Sequence, residues 1–460
     1  MSAGAGDLQA HNKQKKLGAI LLRALLFAIL LFGIGQIDPF GFSTATNKHS
    51  RTLVYQIIAP HTKPEHCELP SEDCRQAAIR ERITMLMLDD QDLAEFGQSW
   101  PTEYGFHAVI LQTLKDLEVA AVFIDIGFLD ERSEDNSFSE LIAAIDDYHD
   151  AKIPLMMAGT PGEGGDPNSA GIQQKLADME KDGKLKVVPV PGGLGEHEGI
   201  VYPLWSEEGR RPTAAMTLYN AVCKADNCFT ATPKQPEMEV TWKISDNRVP
   251  LDSYQKRSCL IHSPTWGERV MKMLFAPLPF VDGDLRNPCP YHATAPIRKL
   301  FSAEPELATL FKDKVVIYGA DLLMAADLVD PPTHPPLPAA NLHAMALDNL
   351  LDRGGNYHRV KSDGLLNYLS LVCLFILILV EQYMAPIINN PDVVLITRCK
   401  KAIEWTVVSL IIVVMFSYIA YEHLNLGVSN WAGLLLLNAG FALVDMRAFI
   451  NTLLSKIKIF

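Results

Sequence analysis

Residues 82–90 read RITMLMLDD, and this run decides the fold. It is apolar with little alternation, the pattern of a strand buried on both faces, and it closes on two carboxylates, Asp89 and Asp90. Trp100-Pro101 then marks a turn. Tyr104 to Glu118 reads as an amphipathic helix with Val109, Ile110, Leu111, Leu114 and Leu117 as its apolar positions. Val119 to Gly127 (VAAVFIDIG) is a second strand-like run and carries Asp125. Ser137 to His149 is helical again, and Ile153 to Ala158 is a third strand. Strand, helix, strand, helix, strand predicts an α/β domain on a mainly parallel sheet flanked by helices.

Further along, Gly159 to Gly165 reads as a flexible loop and Ile172 to Asp182 as a helix. From Val187 to Asp252 the signal weakens, apart from a helix over Thr213 to Cys223. The pattern returns with a helix ending over Leu307 to Phe311, a strand over Lys314 to Gly319 and a helix over Leu342 to Leu351. Asp330 to Pro338 (DPPTHPPLP) reads as a rigid, polyproline-rich brace.

Outside this domain the chain is hydrophobic. Residues 17–37, 365–385, 403–421 and 431–445 predict four transmembrane helices, since about 20 apolar residues match a bilayer core. Lys13, Lys15 and Lys16 precede the first; Arg398, Lys400 and Lys401 separate the second and third; Arg447, Lys456 and Lys458 follow the fourth. With four spans all three basic clusters fall on one side, the cytoplasm by the positive-inside rule. That leaves 1–16 and 446–460 inside and 38–364 outside. The expectation is a multi-pass protein of a bacterial inner membrane, in contact with lipids, its large domain on the periplasmic side. Asn438, between Gly433 and Gly440, reads as a helix-packing hydrogen bond.

The 460 residues carry a net charge of -13, which excludes a nucleic-acid binder, because phosphate backbones need a basic face. Six cysteines fall in the outer region: Cys67, Cys74, Cys223, Cys228, Cys259 and Cys289. In an oxidising compartment they point to disulfides, with about 15 possible pairings. Closure of short loops favours Cys67–Cys74, Cys223–Cys228 and Cys259–Cys289. No CxxC pair or histidine pattern supports a metal site instead, and no cofactor is expected.

Three blocks of the outer region resemble the CHASE2 extracytoplasmic sensor domain. The first is Leu86 to Asp90 with Leu93, Gly97, Trp100-Pro101, His107 and Leu111; the second is Val122 to Phe128. The third is Lys314 to Gly319 with Asp327, Pro331, Leu342-His343-Ala344 and Leu350. The resemblance covers Leu53 to Arg353, loosely between Val187 and Cys289. Tyr104 stands where the family commonly has an Arg, and Ala339-Ala340 where it has Pro-Gly. The resemblance implies a sensory module. Such proteins usually carry an output domain after the last span, and here only Met446 to Phe460 follow, so the expectation is a sensor without its own effector.

The sequence has no G-x-x-x-x-G-K-[ST], no G-x-S-x-G and no H-E-x-x-H, and no enzyme is expected. Asp89, Asp90 and Asp125 should gather at the carboxyl edge of the sheet, where open α/β folds bind ligands. They either form a ligand rim, with Asp327 and His343 completing it, or cap helix starts. Trp100 either packs under its loop or joins the rim. Two functions follow: a sensory or regulatory subunit acting through partner proteins and itself homo-oligomeric, or a structural scaffold in a multi-protein envelope assembly. The small-molecule ligand is not identified.

Overall fold

The computed structural model describes residue 75 and residues 78–360, apart from 129–134, 160–169, 191–198, 207–210, 225–227, 246–289, 303–306 and 325–326. Elsewhere it describes residues 21, 22, 25, 26, 29, 55, 61, 62, 372, 375, 376, 378, 379 and 408. The chain divides into two compact units, residues 55–360 and the two termini together, 1–54 with 361–460.

The first unit is built on six strands: β1 (Ile83–Asp89), β2 (Ala121–Ile124), β3 (Leu155–Ala158), β4 (Lys186–Val188), β5 (Ala293–Pro296) and β6 (Val315–Asp321). Their order is β4-β3-β2-β6-β1-β5, and every neighbouring pair is parallel. The helices are α1 (Asp90–Glu95), α2 (Tyr104–Asp116), α3 (Phe138–Asp150), α4 (Ala170–Lys181), α5 (Ala214–Val222), α6 (Ile297–Leu300), α7 (Leu307–Phe311) and α8 (Ala340–Arg353). The expected strand–helix alternation is therefore present. Sequence periodicity missed β4 and β5, strands of three and four residues with no long apolar run.

Alternate side chains of each strand serve two cores. Ile83, Met85 and Met87 of β1, Phe123 of β2 and Val315 and Ile317 of β6 pack with α5 and α8. Leu86 and Leu88, Val122 and Ile124, and Val316 and Tyr318 pack with α2, α3 and α4 on the other face. A sheet covered on both sides has no solvent face, which is why its strands read as continuous apolar runs. Helix α8 lies close on β6: a Cβ at Gly319 would meet the Ala340 Cβ at 2.7 Å. Glycine here lets the start of α8 approach the strand.

The polyproline-rich segment is the loop that closes a small ribbon. Leu337–Pro338 at its end pairs antiparallel with Leu328–Val329 just before it. Cys223 and Cys228 form the expected disulfide. The other two expected pairs, Cys67–Cys74 and Cys259–Cys289, lie outside the described residues.

A buried ionic cluster ties the first unit together. Lys243, fully buried, pairs with Asp348 at 2.5 Å and Asp352 at 2.9 Å, both on α8. Arg75 also bonds Asp352, and His292 reaches Asp348 at 3.4 Å. Burial raises the Asp348 carboxyl, but Lys243 and His292 outweigh this and hold it below the usual range.

In the second unit, Leu21, Leu22, Leu25, Leu26 and Ile29 are helical with exposed side chains, as is Val408. Among the described residues no helix is long and apolar enough to cross a membrane. The four expected spans lie almost wholly outside the described residues.

Candidate functional site

The strand order sets the site. Strand β6 enters last, between β2 and β1. The helices after β1 and β2 pack on one face, while α8, which follows β6, packs on the other. Neighbouring strands whose chains leave to opposite faces open a crevice at their carboxyl ends.

Asp125 directly follows β2 at this carboxyl edge, where the strand order puts the crevice. Its N–H donates to the Tyr318 carbonyl at 2.7 Å, which extends the strand ladder and fixes its side chain beyond Phe123. His343, in the first turns of α8, brings Nε2 to 3.6 Å from Asp125 Oδ1. The two side chains are 12% and 4% exposed, so the carboxylate is the accessible partner. His343 Nδ1 lies 2.8 Å from the Tyr202 hydroxyl, and Tyr202 Oη accepts the Ala215 N–H at 3.0 Å. Tyr202 thus ties the imidazole, through Nδ1, to the start of α5 and leaves Nε2 as the ring nitrogen that faces Asp125. Edge contacts from Phe123 and Tyr202 hold the imidazole ring.

The electrostatics follow from burial. It pushes the Asp125 carboxyl up to about 7, and the Asp327 charge adds to this. It pushes the His343 imidazole down to about 4, against the opposing effect of Asp327. Burial also raises the Tyr202 hydroxyl. Near neutral pH the crevice thus holds an uncharged imidazole beside a carboxyl poised between its two states. Such a pair can offer a donor or an acceptor to a ligand, or take up a proton.

Asp327 is exposed at the rim; its carbonyl accepts the Ala339 N–H at 2.8 Å, joining the ribbon to the start of α8. The other expected rim residues have separate work. Asp89 caps α1: its Oδ1 accepts the Asp92 N–H at 2.8 Å, and Asp92 Oδ2 accepts the Asp89 N–H at 3.0 Å. Arg298 Nη1 bridges both carboxylates, at 2.8 Å and 2.9 Å. Asp92 also accepts the N–H groups of Ile297 and Arg298 at the start of α6. Burial raises Asp92 despite these donors. Asp90 accepts the Leu323 N–H at 3.1 Å, and this pins the loop after β6. Trp100 precedes a cis Pro101 and packs against the core on the α2 side of the sheet, the face away from α8.

The structure thus joins Asp125 and His343, within electrostatic reach of Asp327, and shows Asp89 and Asp90 bonded to backbone N–H groups and Trp100 packed on the α2 face. Sequence reasoning missed Tyr202, which lies in the weakly patterned segment and carries no periodic signal. It also missed Asp92, although a carboxylate three residues after a capping Asp is a readable box. Among the described residues no group of His, Cys, Asp and Glu is arranged to hold a metal ion.

A family model described as the CHASE2 domain matches residues 52–380. Comparison with curated proteins gives no match, and neither does comparison with solved structures.

Proposed function

This chain belongs to the CHASE2 domain family, a family of extracytoplasmic sensory domains, and from that premise we propose that it is a non-enzymatic sensory subunit whose ligand enters the crevice at Asp125 and His343. The observation that carries this is a mostly buried carboxylate, its side chain 12% exposed, that has no cation or N–H donor at hydrogen-bond distance among the described residues. A fold that needed Asp125 only for structure would gain by satisfying it, because an unpaired buried carboxylate costs stability. Its place at the switch point adds support.

The proposal includes four membrane spans with residues 38–364 outside. The basic clusters support it, and so do the exposed leucines on the described helical residues of the first span, which water would disfavour and lipid would cover. It also includes transmission to separate membrane or envelope proteins, from a homo-oligomer, with helix α8 as the element that leads from the crevice toward residue 360.

The test uses the full chain purified in detergent. Hydrogen exchange over 340–347 is followed while fractions of extracytoplasmic small molecules are added to wild type and to Asp125→Asn. Protection that appears in wild type and is lost in the variant supports a ligand crevice. A fixed multi-subunit particle whose exchange no fraction changes would support a scaffold instead. Protease added from outside should cut within 38–364 and spare the segment near Lys456; the reverse pattern sinks the topology.

A further inference from the structure

We propose that a cavity at the opposite, amino-terminal edge of the sheet is a second binding site, for an anion bearing a phosphate group. It does not depend on the crevice. The cavity has a volume of about 770 Å³, within the range of small-molecule sites. Val315 at the start of β6 and Ala120 before β2 line it, which puts it at the end of the sheet away from Asp125. Arg82, Lys224 and Arg353 line it together with Tyr219 and Asp313.

The charges there are unmatched. Among the described residues, the side chains of Lys224 and Arg353 make no hydrogen bond or ion pair. Arg82 gives one long hydrogen bond, Nη2 to the Val222 carbonyl at 3.3 Å. Of the two carboxylates on the wall, Asp352 is already held by Lys243 and Arg75. Asp313 adds only a minor attraction on the neighbouring Lys312, whose ammonium is paired with Glu118, so one carboxylate of the wall stands against the three basic side chains. Helices α5 and α8 both end at the cavity, and their last carbonyls draw some of the positive charge. Arg82 does this directly, through Val222. Lys224 and Arg353 remain, in a chain whose net charge is -13. Unpaired cations facing one cavity of an acidic protein are what an anion requires.

Two further features suit phosphate. Tyr219 Oη accepts the Phe229 N–H at 3.1 Å, so its own O–H is free to donate into the cavity. Lys224 follows Cys223, and the Cys223–Cys228 bridge holds the base of its loop with Cα atoms 6.0 Å apart. An ammonium, a guanidinium and a hydroxyl around one space match the oxygens of a phosphate monoester or diester through charge-assisted bonds. Two sources share this chemistry. One is a soluble phosphate compound. The other is a lipid headgroup, since Arg353 and Asn356 line the cavity and the apolar stretch from Leu365 follows closely in the chain.

The full chain in detergent is titrated with inorganic phosphate, with short-chain phosphatidylglycerol, and with a short-chain diacylglycerol that lacks phosphate, and binding is read by native mass spectrometry. At least one phosphate-bearing probe should saturate on wild type and bind about tenfold more weakly to the Lys224→Gln, Arg353→Gln double variant, roughly the loss of two charge-assisted contacts. Asp125→Asn should bind as wild type does. Phosphate binding places the source in solution; binding of phosphatidylglycerol alone places it in the bilayer. Lys224→Gln by itself alters one exposed side chain and should weaken binding several-fold at an unchanged melting temperature, so a misfolded double variant leaves the question decidable. The site is refuted by no saturation with either phosphate probe, by equal binding to wild type and to Lys224→Gln, or by diacylglycerol binding as tightly as phosphatidylglycerol.

Discussion

Helix α8 carries a buried polar group at each end, and the two are built differently. Toward its end, Asp348 and Asp352 meet Lys243, His292 and Arg75, so each carboxylate has a cation at bonding distance. Near its start, His343 meets Asp125 across 3.6 Å, and the second carboxylate nearby, Asp327, repels rather than relieves it. Both groups are desolvated. Only the first is compensated. Burial of a charge with its partner specifies a fold, whereas burial of a charge without one stores free energy that a ligand or proton can release.

The sharpest way to break this contrast is at Lys243. Lys243→Met leaves two carboxylates buried without their central cation, and the expected loss is about 3–5 kcal/mol in urea unfolding of the full chain. Replacing Lys243, Asp348 and Asp352 together by Met, Leu and Leu should restore most of that, because no charge is then stranded. If Lys243→Met costs less than about 1 kcal/mol, the cluster is wetter than its burial implies.

The crevice pair should show itself through pH. The folded value of Asp125 is raised to about 7. In the fold the carboxyl keeps its proton while the unfolded chain gives it up, so its contribution is fully present below pH 3.8 and is lost as pH rises to about 7. His343 is depressed to about 4, so its contribution is present above pH 6.5 and is lost as pH falls toward 4. The two slopes oppose each other between about pH 4 and 6.5, and wild type should be nearly flat there. Asp125→Asn should uncover a stability that rises with pH in that window, and His343→Gln one that falls. At pH 7.5 Asp125→Asn should be more stable than wild type by about 2 kcal/mol, roughly half the limit of about 4 kcal/mol set by the shift, because the amide still pays for burial. Parallel pH profiles in all three proteins would remove Asp125 and His343 from the poised state assigned to them.

An effect smaller than that at Lys243 is expected where the compensation is by hydrogen bonds. Asp92→Ala removes the acceptor for the N–H groups of Asp89, Ile297 and Arg298. The expected cost is about 2 kcal/mol, that of stranded amides and a lost cap. A loss as large as that of Lys243→Met would mean that Arg298 is as dependent on its carboxylates as the buried lysine cluster.

Much of this contrast was visible in the amino-acid order, and the limits have physical causes. Strands β1, β2 and β6 were legible because burial on both faces makes them apolar throughout, and α2, α3 and α8 because their apolar positions repeat with the helical period. Asp125 and His343 were legible only as two members of a wider rim with Asp89, Asp90 and Asp327, because all fall at or near the ends of such elements. That they meet is a consequence of β6 entering between β2 and β1, a long-range pairing no local pattern encodes. Asp89 and Asp125 looked equivalent, each an Asp closing a strand. What separates them is Arg298, distant in sequence, which neutralises the first and not the second. Tyr202 and Lys243 come from the segment with no periodicity, where burial is set by neighbours rather than by pattern.

The mildest prediction compares two adjacent carboxylates. Asp89 is bound to Arg298 and caps a helix, while Asp90 is exposed and holds one N–H, that of Leu323. Asp90→Ala should therefore change global stability by less than about 0.5 kcal/mol, as exposed substitutions do. Its effect should be local. The loop after β6 carries Leu323 and Met324 with side chains 88% and 93% exposed, and Asp90 is its bond to the crest of β1. Hydrogen exchange at the Leu323 amide should speed up several-fold while the amides of β1 and β6 keep their protection. If exchange also rises at Asp125, whose N–H bonds Tyr318 in the core of the sheet, then the rim and the crevice open together and Asp90 belongs with the site rather than with the framework.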